Sequence, residues 1–144
     1  MKQVTFTRAE VLRAVRYEPL QRGTWIQGKR ADRKIKARCK VCAVGAVIRR
    51  KLRKAIDYNE FTDICRAVTN NEGATALYER DPRIQRALDR KKYLLALSQF
   101  FESLDSDDEK DIRKELVTFV KSNFPIRFKA SVTFDSVRLL KQPR

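Results

Sequence analysis

The chain contains no histidine. That excludes Ser-His and Cys-His nucleophile systems, in which an imidazole takes the proton of the attacking group. Glycine and proline number only 4 each. A loop-rich all-β protein needs more punctuation, so the composition leans helical. The 3 cysteines are an odd number and make no secreted disulfide framework. Residues 1–5 carry no apolar signal region, and the longest apolar runs, around 41–48 and 93–97, fall far short of the roughly 20 residues of a membrane span. A reducing cytoplasm is the expected compartment. Gly23, Gly28, Gly45 and Gly73 form no phosphate-cradling loop of the known spacings.

What the chain has is charge. Its 144 residues, expected to form one domain over 1–144, include 33 Lys and Arg against 18 Asp and Glu, a net of +15. Hydrophobic residues still make up 42%, enough for an ordinary core without disulfide staples. The cations are unevenly spread: residues 1–66 carry a net +12 and residues 67–144 a net +3. Residues 29–54 alone hold 12 basic side chains and one acid, Asp32. Such crowding promotes contact with polyanions, of which nucleic acid is the commonest in a cell.

The hydrophobic pattern predicts the elements. Residues 2–6 read as a short strand. Thr7-Arg8-Ala9-Glu10 has capping-box spacing, and Val11, Leu12, Ala14 and Val15 follow at helical intervals, giving a helix over 8–17 that Pro19 and Gly23 end. From Cys39 to Arg53 an apolar run turns basic, the pattern of a mostly buried helix with cations on its negative end. Further helices are expected from Asn59 to about Asn70, from Asp81-Pro82 to Leu104 with a break near Arg90-Lys91-Lys92, and from a second capping box at Ser106–Glu109 to Asn123. Then the period changes to two: Ile126, Phe128, Ala130, Val132 and Phe134 alternate with polar residues, as in a half-buried strand. One strand cannot stand alone, and residues 2–6 are its natural partner. The expected fold class is mainly α (α+β), with about five helices and a short two-stranded sheet pairing the N- and C-terminal segments.

Cys39-Lys40-Val41-Cys42 has the spacing of a zinc knuckle or redox dithiol. A structural zinc needs four ligands, and Cys65 is the only other cysteine. A thioredoxin-like role needs a strand–CxxC–helix setting, which the pattern lacks. Buried thiols are the simpler reading, with no metal and no cofactor. Asp105, Asp107, Asp108 and Glu109 fit an exposed, capped helix start, and Asp57, Glu60 and Asp63 a solvated face. No enzyme activity is expected. The functional candidate is the basic segment: Lys29, Arg30, Arg33, Lys34, Lys36, Arg38, Lys40, Arg49, Arg50, Lys51, Arg53 and Lys54. Phosphate neutralisation by such side chains supplies affinity with little sequence preference. Tyr17, Trp25 and Tyr58 are candidate stacking aromatics, though Trp25 reads better as a core anchor.

Thr24-Trp25-Ile26-Gln27-Gly28, and then Cys42-Ala43-Val44-Gly45-Ala46 within 39–47, resemble a family of small bacterial and phage proteins with a W-x-Q-G element followed by a C-x-x-G-A helix. Tyr93–Leu97 with Phe100 is similar to that family's later helix. The resemblance implies a small helical domain and a phage setting; it implies no reaction. The dense basic loop at 29–38 departs from the family pattern. Together these readings point to a basic protein that binds DNA or RNA through backbone phosphates. The alternative is a phage-type inhibitor docking on an acidic face of a host enzyme or ribonucleoprotein.

Overall fold

The two segments of β pattern meet. In the computed structural model, which describes residues 3–20, 42–54, 56–71, 84–133 and 138–141, β1 (Gln3–Thr7) and β2 (Lys129–Thr133) pair antiparallel. Val4 pairs with Val132, Phe6 with Ala130 and Thr7 with Lys129. Val4 and Phe6 are fully buried, so the inner face of this small sheet closes one side of the core. Among the described residues six helices follow β1 in order: α1 (Arg8–Tyr17), α2 (Ala43–Lys51), α3 (Tyr58–Asn71), α4 (Ile84–Asp89), α5 (Tyr93–Ser103) and α6 (Glu109–Asn123). The expected mainly helical chain with a sheet joining its two end segments is therefore the observed one. No described helix is long and apolar enough to cross a membrane.

Local chemistry sets the helix boundaries. Thr7 caps α1 as its spacing predicts: Thr7 Oγ1 accepts from the Glu10 N–H, and Glu10 Oε1 accepts from the Thr7 N–H at 3.1 Å. The helix expected from Cys39 begins instead at Ala43. Cys42 Sγ accepts the Gly45 N–H at 3.2 Å, making the thiol the N-cap. The C-x-x-G spacing is thus the cap-to-third-residue spacing of a helix start. Asp57 does the same for α3, its Oδ1 accepting from the Glu60 N–H at 2.9 Å. The box expected at Ser106–Glu109 is displaced. Asp108 is the cap of α6, accepting from Lys110 N–H, and Ser106 Oγ accepts from Asp108 N–H instead. The carboxylate competes better than the hydroxyl for the positive end of the helix.

The break near residue 90 is real and has a cause. Lys91 adopts φ 61°, while Lys92 N–H reaches Ala87 O at 2.8 Å and Lys91 N–H reaches Leu88 O at 3.0 Å. That pair of hydrogen bonds is the Schellman ending of a helix, and it redirects the chain from α4 into α5. The helix start expected at Asp81-Pro82 lies outside the described residues.

Helix α2 is the centre of the molecule. Residues 43–49 are buried without interruption, as expected of a helix that is apolar on every side. It packs against α1, α5 and α3. Helices α5 and α6 lie together through the stacked rings of Phe100 and Phe119, with centroids 4.3 Å apart. Tyr93, Phe124 and Phe128 form an aromatic triangle where α6 leaves for β2. This triangle explains one departure from the alternation. The strand begins at Lys129, and Ile126, expected on its buried side, sits 86% exposed in the turn between Phe124 and Phe128. Phe134 lies outside the described residues. Finally, residues 138–141 run back along the end of α2. Leu52 bridges Leu140, Arg53 N–H donates to Leu139 O at 2.9 Å, and Lys141 N–H donates to Lys51 O at 2.6 Å. Leu139 and Leu140 are both buried by this return.

Candidate polyanion interface

The last turn of α2 carries three consecutive cations, Arg49, Arg50 and Lys51. A helical turn points consecutive residues about 100° apart, so they cannot share a face. Arg49 points inward. Its Nη2 lies 2.8 Å from Glu18 Oε2, just past the end of α1, with the side chain only 4% exposed. Lys51 points inward on the other side. Its Nζ lies 2.9 Å from Glu10 Oε2, donates to the Thr5 carbonyl, and sits 5.0 Å from the centroid of the Phe6 ring. Buried ammonium and guanidinium groups require this much satisfaction.

These two residues correct the site read from the sequence. Arg49 and Lys51 fasten α2 to α1 and β1 and are withdrawn from solvent, so neither supplies an exposed contact. Arg50, between them, is exposed, with Nη1 3.9 Å from Glu18 Oε1. Arg53 and Lys54 are exposed as well, and Arg53 Nη1 donates to the Arg138 carbonyl at 3.3 Å. Lys29, Arg30, Arg33, Lys34, Lys36, Arg38 and Lys40 lie outside the described residues, as does Trp25. Tyr17 is 70% exposed at the end of α1.

Two cations that the sequence window omits join this end of the molecule. Register with β1 brings Lys129 opposite Thr7. The backbone bond from Lys141 to Lys51 fixes Lys141 beside α2. With Arg50 and Lys51 they line a pocket of about 380 Å³, whose other walls are Thr5, Thr7 and Glu10. Glu10 is the only acid in that lining among the described residues, and its charge is already engaged. One carboxylate oxygen serves Thr7 and the other serves Lys51. No signal within residues 29–54 could have revealed Lys129 or Lys141, because the pairing that gathers them spans most of the chain.

The opposite charge collects elsewhere. Asp105, Asp107, Asp108, Glu109 and Asp111 are all exposed around the α5–α6 connection. Glu109 pairs with Arg113 at 2.5 Å. Arg113 also donates to the carbonyls of Val15 and Glu18, at 3.0 and 2.7 Å, closing the C-terminal end of α1.

Cys42 and Cys65 are buried free thiols, and Cys39 lies outside the described residues. Burial pushes the Cys42 thiol up to about 12, partly opposed by the Gly45 N–H bond. Burial, and then the neighbouring Cys42, raises Cys65 as well. A thiol held protonated in this way is a poor nucleophile and a poor metal ligand. Among the described residues no group of three or more Cys, Asp and Glu side chains is arranged to hold a metal ion. No family model matches the chain, and neither the curated proteins nor the solved structures contain a match.

Proposed function

We propose that the protein binds nucleic acid, DNA or RNA, through backbone phosphates and with little sequence preference. The observation that carries this reading is the cationic end of α2. Arg50, Arg53 and Lys54 remain exposed there after the protein has used its own carboxylates for Arg49 and Lys51. Internal neutralisation is selective: it takes the two inward cations closely, meets Arg50 only at 3.9 Å and makes no ion pair with Arg53 or Lys54 among the described residues. An excess of +15 lowers stability through self-repulsion and favours a polyanionic partner. Residues 29–40, with seven more cations against Asp32, extend the same basic character along the chain. The reading includes no catalysis and no cofactor. Buried thiols in an odd total of 3 suit a reducing, cytoplasmic setting, and the W-x-Q-G and C-x-x-G-A elements suit a phage one.

The test is a titration of protein stripped of nucleic acid against labelled DNA and RNA across a salt series. Affinity falls linearly in log salt, and the combined variant Arg50→Glu, Arg53→Glu, Lys54→Glu flattens the slope by about 0.7–0.9 for each phosphate no longer neutralised. Absence of binding at low salt overturns the reading and favours docking on an acidic protein face.

A further inference from the structure

Three segments far apart in sequence deliver the cations of the 380 Å³ pocket: the end of α2, strand β2 and the 138–141 return. Its volume lies within the roughly 300–1,000 Å³ of small-ligand sites. Its electrostatics are one-sided. Lys51 and Glu10 neutralise each other in the wall at 2.9 Å. That leaves Lys129, Lys141 and the 3.9 Å, loosely paired Arg50 as the other charged groups in the lining among the described residues. Lys129 and Lys141 are exposed and make no ion pair among the described residues. The Thr5 hydroxyl, 3.4 Å from Ser131 Oγ, adds a neutral hydrogen-bonding group to the same lining. Two flexible ammonium groups and a guanidinium around a hydroxyl-lined hollow match a compact, multiply charged oxyanion.

We propose that this pocket is a phosphate-binding site in which Lys129, Lys141 and Arg50 hold one phosphate group. The polynucleotide as source of that phosphate rests on the function proposed above; the site itself does not. Lys51 and Glu10 are positioning residues. Their pair keeps the α2 end against β1, and these two elements in turn hold Lys141 and Lys129 in the lining of one hollow. Either an internal diester or a terminal monoester presents the required oxygens.

The experiment compares the full chain with Lys129→Ala/Lys141→Ala, and with a control pair of equal charge loss outside the pocket, Lys121→Ala/Arg127→Ala. All four side chains are exposed, so thermal melting first verifies that both variants fold. Oligonucleotides of one sequence are titrated with a 5′-phosphate and with a 5′-hydroxyl. In parallel, inorganic phosphate is tested for its effect on melting temperature. The pocket variant loses about tenfold in oligonucleotide affinity and about one unit of salt slope, whereas the control pair loses about twofold. Inorganic phosphate raises the melting temperature of the parent protein and not of the pocket variant. Preference for the 5′-phosphate assigns the site to a chain end, and equal affinity assigns it to an internal diester. Equal losses in the two variants overturn the phosphate site while the nucleic-acid reading stands. Phosphate stabilisation without oligonucleotide binding keeps the site and overturns the nucleic-acid reading. Absence of both removes the two together.

Discussion

The end of α2 and the α5–α6 connection both crowd like charges, yet they solve the problem differently. Around α6 the acids are handled within a few residues: Asp108 caps its own helix through Lys110 N–H, and Glu109 meets Arg113 one turn on. At the end of α2 the partners are distant: Arg49 takes Glu18, and Lys51 takes Glu10 and the Thr5 carbonyl. Local solutions leave charge on the surface, where it is worth little. Distant ones bury it and make it a fastening. The same run of cations therefore contains two struts and several exposed groups, distinguished only by which way the helix turns them.

Breaking a strut gives the largest expected effect. Glu18→Ala leaves Arg49 buried without its carboxylate and costs about 3–5 kcal/mol in denaturant unfolding. Its counterpart at the acidic corner, Glu109→Ala, costs about 0.5 kcal/mol or less, because the Glu109 carboxylate is solvent-exposed and Arg113 keeps its two carbonyl partners. A double-mutant cycle on Arg49 and Glu18 showing less than about 0.5 kcal/mol of coupling would erase the distinction.

Burial without a charged partner sharpens the comparison next. The unfolded chain ionises its thiols as pH rises past the ordinary value of 9.0, while the folded protein keeps Cys42 protonated up to about 12. Over that window the unfolded state binds fewer protons, so stability present below pH 9 is lost with rising pH. The loss is about 1.4 kcal/mol per pH unit for each such thiol. Cys42→Ala/Cys65→Ala removes that component, and urea unfolding at matched pH values measures the difference. Parallel stability–pH curves for the two proteins would refute it.

The helix caps give a smaller contrast. Thr7→Ala removes half of a two-way capping box tied to Lys51 through Glu10, and costs about 1–2 kcal/mol. Asp108→Ala, at an exposed cap, costs about 0.5–1 kcal/mol. The smallest effect is a gain. Lys91 holds φ 61°, a conformation glycine adopts freely, so Lys91→Gly raises stability by up to about 1 kcal/mol. A lower melting temperature for Lys91→Gly would show that the lysine side chain contributes more than its backbone costs.

The same contrast explains what the sequence revealed. Features settled by near neighbours were legible: the Thr7–Glu10 box, the break at Arg90–Lys92, and the period of two that pairs residues near 4 with residues near 132. Competition between near neighbours blurred the α6 start, where Ser106 yields to Asp108. Ile126 misled because alternation continues through a turn that the Tyr93–Phe124–Phe128 triangle imposes. The basic window was legible as charge and illegible as geometry. Composition carries no information about which cations meet Glu10 or Glu18, nor about Lys129 and Lys141 arriving from more than 70 residues away.

The return of residues 138–141 along α2 also imposes an order on synthesis. As the chain leaves the ribosome, β1 and α2 emerge early, with Val4 and Phe6 lacking the strand that pairs with them and the backbone of Leu52 lacking its bridge. Completion of the sheet and of the core around Leu139 and Leu140 waits until residues 129–141 have been made. A translation stall or truncation before residue 129 would therefore release a chain with an open, apolar sheet edge, a natural recruit for chaperones or for aggregation.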